Sequence, residues 1–297
     1  MARNNVQKYP WLSITTTLDK YIEPDYYDKI LKNYIFNGKH DLDFLKEAVE
    51  CVANGANIVE FGPGTGRATS VVIASTKDIK SLTLVELSDR MLEKCKERFS
   101  NKKFIEYINS DTIDFILSNN KQFDFAFSLW SFSHSVHQNL KSLGLEVGKI
   151  IVRQAIIKLL TKSLKTGGSF FLIHFDSLSQ EQSISIKQRR KDNFIFQENT
   201  LQSPSKVLMD ELLAELKHNG GIDFSCQHFI GEPIKFNSMD EALEYYLNFH
   251  MESHFNESKN IEVILEELTN DIKKLQSPDG SIKINPGCYI YNIARNK

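Results

Sequence analysis

The chain has 297 residues, 41% hydrophobic and 25% charged, an ordinary globular composition that allows one large α/β domain or two small ones. With 36 basic against 38 acidic residues the formal net charge is −2, so there is no basic excess to hold a polyanion and nucleic acid is not an expected partner. Cys51, Cys95, Cys226 and Cys288 form no C-x-x-C pair, the N-terminus lacks the apolar core of a signal peptide, and no stretch approaches about 18 uncharged apolar residues; together these predict a cytoplasmic protein with free thiols and no membrane span.

Residues 9 to 52 are aromatic-rich and read as two helical pieces. Pro24, flanked by Glu23 and Asp25, opens one. Asp41 to Cys51 is the other, with Leu42, Leu45, Ala48 and Val49 at helical spacing. An apolar strand then runs through Ile58 and Val59 into Glu60-Phe61-Gly62-Pro63-Gly64-Thr65-Gly66-Arg67. Ser81 to Leu87 is a second strand ending at Glu86, and Ser88-Asp89-Arg90 opens a helix from Met91 to Phe99. Lys103 to Ile108 reads as a third strand, followed by Asn109-Ser110-Asp111-Thr112, where Asp111 or Asp114 would also serve as a helix cap. Phe123 to Leu129 is a fourth strand. Val147 to Leu164 is an apolar helix, and Gly168 to His174 a fifth strand. The basic run from Lys187 to Lys191 reads as a solvated helix face. Ser203-Pro204-Ser205 opens a helix that Gly220-Gly221 ends, and Ile222 to Phe229 is a sixth strand. Two helices, from Ser238 through His250 and from Asn260 to Leu275, precede a last strand from Cys288 to Arg295. Strands alternating with helices predict a parallel sheet built from βαβ units.

The glycine spacing narrows the ligand. A dinucleotide fingerprint needs G-x-G-x-x-G with an acid about 20 residues further on. Here Gly66 comes one residue early, and Glu60 precedes the first glycine. A carboxylate there repels a pyrophosphate and suits a cationic amino-acid moiety. E-x-G-x-G-x-G resembles motif I of the class I S-adenosylmethionine-dependent methyltransferases, and the five elements that follow in order, over about residues 56 to 176, strengthen the likeness. Thr166 stands where the family often has Pro in its Lys-Pro-Gly-Gly turn.

The resemblance implies an α/β fold: a doubly wound, seven-stranded, mostly parallel sheet with an antiparallel last strand. It would be one domain, with a helical N-terminal lid (1–52), a Rossmann-like core (53–235), a helical cap insertion (236–285) and a final strand (286–297). It implies S-adenosyl-L-methionine as donor. Glu60, Gly62, Gly64 and Gly66 would meet its amino-acid part, Glu86 with Leu87 its ribose, and Asp111 with Thr112 its adenine; Leu129 and Tyr26 would complete the wall. The long insertion, together with the aromatic N-terminus, would enclose the site and favour a small-molecule acceptor over a polymer; a homodimer is compatible with this reading. The layout is similar to small-molecule methyltransferases such as histamine N-methyltransferase in arrangement only. The Asn/Asp-Pro-Pro-Tyr signature of enzymes acting on adenine or amide nitrogen is absent, Leu129-Trp130-Ser131-Phe132 standing in its place.

Ligands of open α/β sheets bind beyond the carboxyl ends of the strands. His134 and His137 follow the fourth strand, His174 ends the fifth with Asp176 after it, and His250, Glu252 and His254 lie in the insertion. His134, His137 and His174 are the candidate catalytic residues, since an imidazole titrates near neutrality. Trp130, Tyr27, His250 and His254 are candidate acceptor contacts, Trp130 suiting either a cation–π wall or the core. His174, Asp176, His250, Glu252 and His254 have metal-ligand chemistry but no compact metal motif, so no metal is expected. Aminopropyl transfer, a metal-assisted methyltransferase and a non-enzymatic binding protein on the same scaffold are the rivals. The first would need acids in the loop after Ser128, where none occurs before Glu146.

Overall fold

The computed structural model describes residues 24–192, 202–250 and 261–296. Helix α1 (Pro24–Leu31) leads into a short hairpin, β1 (Ile35–Phe36) and β2 (Lys39–His40), and helix α2 (Asp41–Val49) follows. The alternating core runs β3 (Asn57–Phe61), α3 (Arg67–Ser75), β4 (Ser81–Glu86), α4 (Asp89–Arg98), β5 (Ile105–Asn109), α5 (Thr112–Ser118), β6 (Phe123–Leu129), α6 (Phe132–Leu143), α7 (Leu145–Lys158) and β7 (Leu164–Phe175). Then come α8 (Gln180–Asp192), α9 (Pro204–His218), β8 (Ile222–Ile230), β9 (Ile234–Phe236), α10 (Met239–Tyr245), α11 (Ile261–Lys273), β10 (Ile282–Ile284) and β11 (Gly287–Arg295).

Seven strands form one sheet in the order β5-β4-β3-β6-β7-β11-β8. Parallel pairing joins β5 to β7, and β11 runs antiparallel between β7 and β8, with Ile290 opposite both Ile173 and Gln227. This is the doubly wound sheet with an antiparallel last strand that the resemblance implies. Strands β3 and β4 are apolar on both faces because helices cover both. Ile58, Leu82 and Leu84 face one core with Leu45 of α2, Val72 of α3 and Cys95 of α4. Val59, Phe61 and Val85 face the other with Ile113 of α5, Val136 of α6, Val152 of α7 and Leu212 of α9. Side-chain caps set the helix starts: Ser88 accepts from Met91 N–H, Asp111 from Ile113 N–H, and Ser203 from Lys206 N–H with Pro204 in the first turn.

Four expectations change. The apolar helix expected over 147–164 stops at Lys158, turns through a wider π-type turn at Leu159–Ser163, and gives way to β7 at Leu164. Residues after β6 form helix α6 with a buried apolar stripe of Phe132, Val136 and Leu140, which the polar spelling around it hides. The N-terminal region includes the β1–β2 hairpin as well as helix, and the insertion holds the antiparallel pair β9–β10 beside its helices. The positions 9–23 and 251–260 lie outside the described residues.

Leu84 is fully buried on β4, between β5 and β3. Leu84→Ala should cost about 2–5 kcal/mol, read as a lower urea midpoint at unchanged slope.

Candidate functional site

The glycine turn after β3 is held by what surrounds it. Gly62, Gly64 and Gly66 have φ of 73°, 55° and 85°, left-handed values that favour glycine. A Cβ on Gly62 would stand 1.9 Å from Ser131 Oγ, so the turn lies directly against the start of α6. A Cβ on Gly66 would stand 2.4 Å from the Phe99 ring of the α4 end. Gly64 differs: a Cβ there would meet nothing within 4 Å. Its N–H donates to Glu86 Oε2 at 3.0 Å, and Glu86 Oε1 accepts from Ser88 N–H at 3.0 Å. Open space over Gly64 and a carboxylate at the tip of β4 therefore share one corner, which fits a nucleoside with two ribose hydroxyls to donate. Leu87 follows, partly exposed.

Glu60 lies beneath the turn, 2% exposed, accepting from Thr69 Oγ1 at 2.6 Å. Burial pushes its carboxyl up to about 8, with Glu86 adding to the rise and Thr69 and Arg67 opposing it. Asp111 serves as the N-cap of α5: Oδ1 accepts from Ile113 N–H, Asp114 N–H and Asn139 Nδ2, and Oδ2 from Ser135 Oγ at 2.6 Å. The capping role is thus realised, with three donors on Oδ1 and one on Oδ2. Thr112 is buried behind it, and Leu129 ends β6.

Helix α1 closes one side. Asp28 accepts from Thr65 Oγ1 at 2.8 and 3.0 Å, fixing the helix to the glycine turn. Tyr27 packs on Phe249 of the insertion with ring centroids 5.9 Å apart. Burial raises its phenol well above the ordinary range; Arg67 opposes the rise, and Asp41, Asp28 and Glu86 add to it. Tyr27 thus sits among the charged groups of the turn. The side chains of Tyr26 and His250, and the positions Tyr21, Glu252 and His254, lie outside the described residues.

Sequence reasoning missed the centre of this arrangement. Asp41, fully buried, holds Arg67 through both guanidinium nitrogens and accepts from Trp130 Nε1 at 2.7 Å. In the sequence Arg67 only ends the glycine stretch and Asp41 only starts a helix. Trp130 is corrected from acceptor contact to core: it is 1% exposed and packed by Phe175, Tyr34 and Phe36 at 4.8, 5.4 and 6.1 Å.

His134, His137 and His174 do come together. They line a narrow cleft with Ser133, Phe175, Ser177, Gln182 and Ser203. His174 is buried, and its Nδ1 donates to Phe175 O at 2.7 Å while Nε2 meets Ser205 Oγ at 2.9 Å. Burial lowers its basicity to about 4, with the Phe175 carbonyl opposing and Lys206 reinforcing. His174 is therefore corrected from base to neutral scaffold, both ring nitrogens being committed. Ser205 N–H donates to His137 Nε2 at 3.4 Å, and the His134 ring stands edge-on to Phe175. Asp176 faces away, accepting from Leu178 N–H and from His228 Nε2 at 2.8 Å. Among the described residues no three His, Cys, Asp or Glu side chains gather as metal ligands, and no helix is long and apolar enough to cross a membrane.

Glu60 binds its proton more tightly in the folded chain, near 8, than at the ordinary 4.5. Its contribution to stability is full below about 4.5 and is lost as pH rises to about 8. Urea midpoints measured across this range should show a fall that Glu60→Gln flattens.

Residues 59–172 match the family model described as a methyltransferase domain. No curated protein sequence matches the chain. Among solved structures, the YcgJ protein from Bacillus subtilis is similar with a TM-score of 0.54 at 11% identity, over 86% of this chain and 98% of that one. A candidate methyltransferase from Bacillus halodurans C-125 gives 0.51 at 12% identity, over 86% and 99%. These likenesses concern the fold. The domain match over residues 59–172, the sheet order and the glycine corner agree on a methyltransferase-like domain built on the class I fold.

Proposed function

We propose that the chain methylates a small-molecule acceptor held in the cleft of His134 and His137. One observation carries this: Ser131, which opens the helix bearing both histidines, abuts Gly62 of the glycine turn. Donor and acceptor subsites then share a wall a few residues long. The donor, when bound, supplies a methyl already activated by its sulfonium. The protein's own task is alignment, which can supply about 7–11 kcal/mol. Glu86 and the Gly64 corner would take the ribose, Glu60 the ammonium side, Asp111 Oδ2 with Thr112 the adenine, and Leu87 and Leu129 the apolar walls. His134 and His137 would orient the acceptor.

The lid and cap assignments (1–52 and 236–285, around a 53–235 core and the 286–297 strand) gain support from α1, which touches both the glycine turn through Asp28 and the insertion through Tyr27. An enclosed site favours a small acceptor, and the net charge of −2 gives no footing for nucleic acid. Aminopropyl transfer is disfavoured because no described residue lining the cleft is an acid.

Glu86→Ala removes charge-assisted hydrogen bonds worth roughly 1.5–3 kcal/mol, so calorimetry should find S-adenosylhomocysteine bound about 10–100-fold more weakly. No binding by the native chain would contradict the reading. With isotopically labelled donor and an extract of small metabolites, His134→Ala or His137→Ala should lower product formation while S-adenosylhomocysteine affinity holds. Equal loss of both would remove the histidines from the acceptor side.

A further inference from the structure

We propose that Ser205 is the positioning residue of the histidine cleft: its hydroxyl fixes the ring orientation and tautomer of His174, and its backbone N–H does the same for His137. This rests on the reading of that cleft as the acceptor side and names a residue that acts on it from behind its wall.

The direction of each hydrogen bond follows by elimination. His174 Nδ1 faces the Phe175 carbonyl at 2.7 Å. A carbonyl oxygen only accepts, so Nδ1 carries the ring's hydrogen. Burial lowers the basicity of His174 to about 4, so at neutral pH the ring has that one hydrogen and Nε2 keeps a lone pair. Ser205 Oγ, 2.9 Å from Nε2, is therefore the donor. A hydroxyl has one hydrogen, so in the contact between Ser203 Oγ and Ser205 Oγ at 3.2 Å it is Ser203 that donates. Ser203 Oγ accepts in turn from Lys206 N–H, and Ser203 N–H donates to Ser177 Oγ. The donors run one way, from Ser203 to Ser205 to His174 to the Phe175 carbonyl.

The start of α9 lets Ser205 hold a second imidazole at the same time. Backbone N–H groups in the first turn of a helix have no partner inside it. The capping Ser203 side chain takes the N–H of Lys206, and Pro204 has none to offer. The N–H of Ser205 is thus left to reach outward, and it donates to His137 Nε2 at 3.4 Å. Such a bond requires that nitrogen to be unprotonated, so the hydrogen of a neutral His137 sits on Nδ1, and the ring works in the cleft through that atom. His137, His174, Ser177 and Ser203 line the cleft, whereas Ser205 is 3% exposed behind them. One residue at the head of α9 therefore sets two lining rings that come from α6 and β7.

Long-range proton–nitrogen correlation NMR of the imidazoles, on the full unliganded chain at neutral pH, reads the tautomers directly. His174 and His137 should both carry their hydrogen on Nδ1. Ser205→Ala removes the hydroxyl and keeps the backbone N–H. It should move the His174 Nε2 resonance toward that of a nitrogen without a hydrogen bond and leave the His137 pattern in place. It should also lower methyl transfer to a metabolite extract about threefold to tenfold, the worth of one hydrogen bond, at unchanged S-adenosylhomocysteine affinity. Ser205→Thr, which keeps the hydroxyl, should restore both the resonance and the transfer. A native His174 or His137 with its hydrogen on Nε2, or a His174 resonance that Ser205→Ala does not move, would overturn the proposal. Failure of the native chain to bind S-adenosylhomocysteine in calorimetry would instead strike the methyltransferase reading, and the tautomers would still decide the role of Ser205.

Discussion

One buried carboxylate, Asp41, holds the glycine turn and the histidine cleft of this protein in register. It belongs to the first turn of α2, has no solvent exposure, and receives Arg67 from the helix after the glycine turn and Trp130 from the end of β6. A buried charge is tolerated only when paired and hydrogen-bonded, and removing one partner costs about 3–5 kcal/mol. That dependence makes the three segments mutually obligatory. Trp130 adopts φ of 65°, a left-handed value costing on the order of 1–3 kcal/mol in a non-glycine residue. Its indole hydrogen bond and its burial among Tyr34, Phe36 and Phe175 offset that strain. The outcome is a chain path that brings Ser131 against Gly62, and so seats the helix of His134 and His137 beside the glycine turn.

Around this hub the two sides differ in polarity. Glu60, Glu86, Asp111 and Asp28 border the glycine turn, whereas the acids near the histidine cleft are turned outward or capped by hydroxyls and amides. Within the cleft His174 is held neutral by burial, with both ring nitrogens committed.

Much of the fold was legible in the residues. Glu60-Phe61-Gly62-Pro63-Gly64-Thr65-Gly66 and the acid-ended strand Ser81–Glu86 carry local signals, because turn chemistry and strand periodicity are short-range. The caps at Ser88, Asp111 and Ser203 follow the same logic. Helix α6 was hidden because Ser133, His134, Ser135 and His137 mask its apolar stripe, and the π-type turn before β7 leaves no compositional mark. The site was legible only as far as single segments could speak. Convergence of His134, His137 and His174 could be anticipated from strand-end positions. The Asp41–Arg67–Trp130 cluster could not, since its members are 26 and 89 residues apart from Asp41 in sequence and each alone has an ordinary local explanation. Trp130 was open to either a core or a ligand role, and only the Asp41 hydrogen bond and its packing decide for the core.

A crystal structure of the chain with S-adenosylhomocysteine tests the central claim most directly. The account predicts the ribose hydroxyls within hydrogen-bonding distance of Glu86, the adenosine over the open face of Gly64, and the sulfur facing the His134–His137 cleft across Ser131. Nucleoside density elsewhere on the sheet edge, or a sulfur turned away from that cleft, would contradict it.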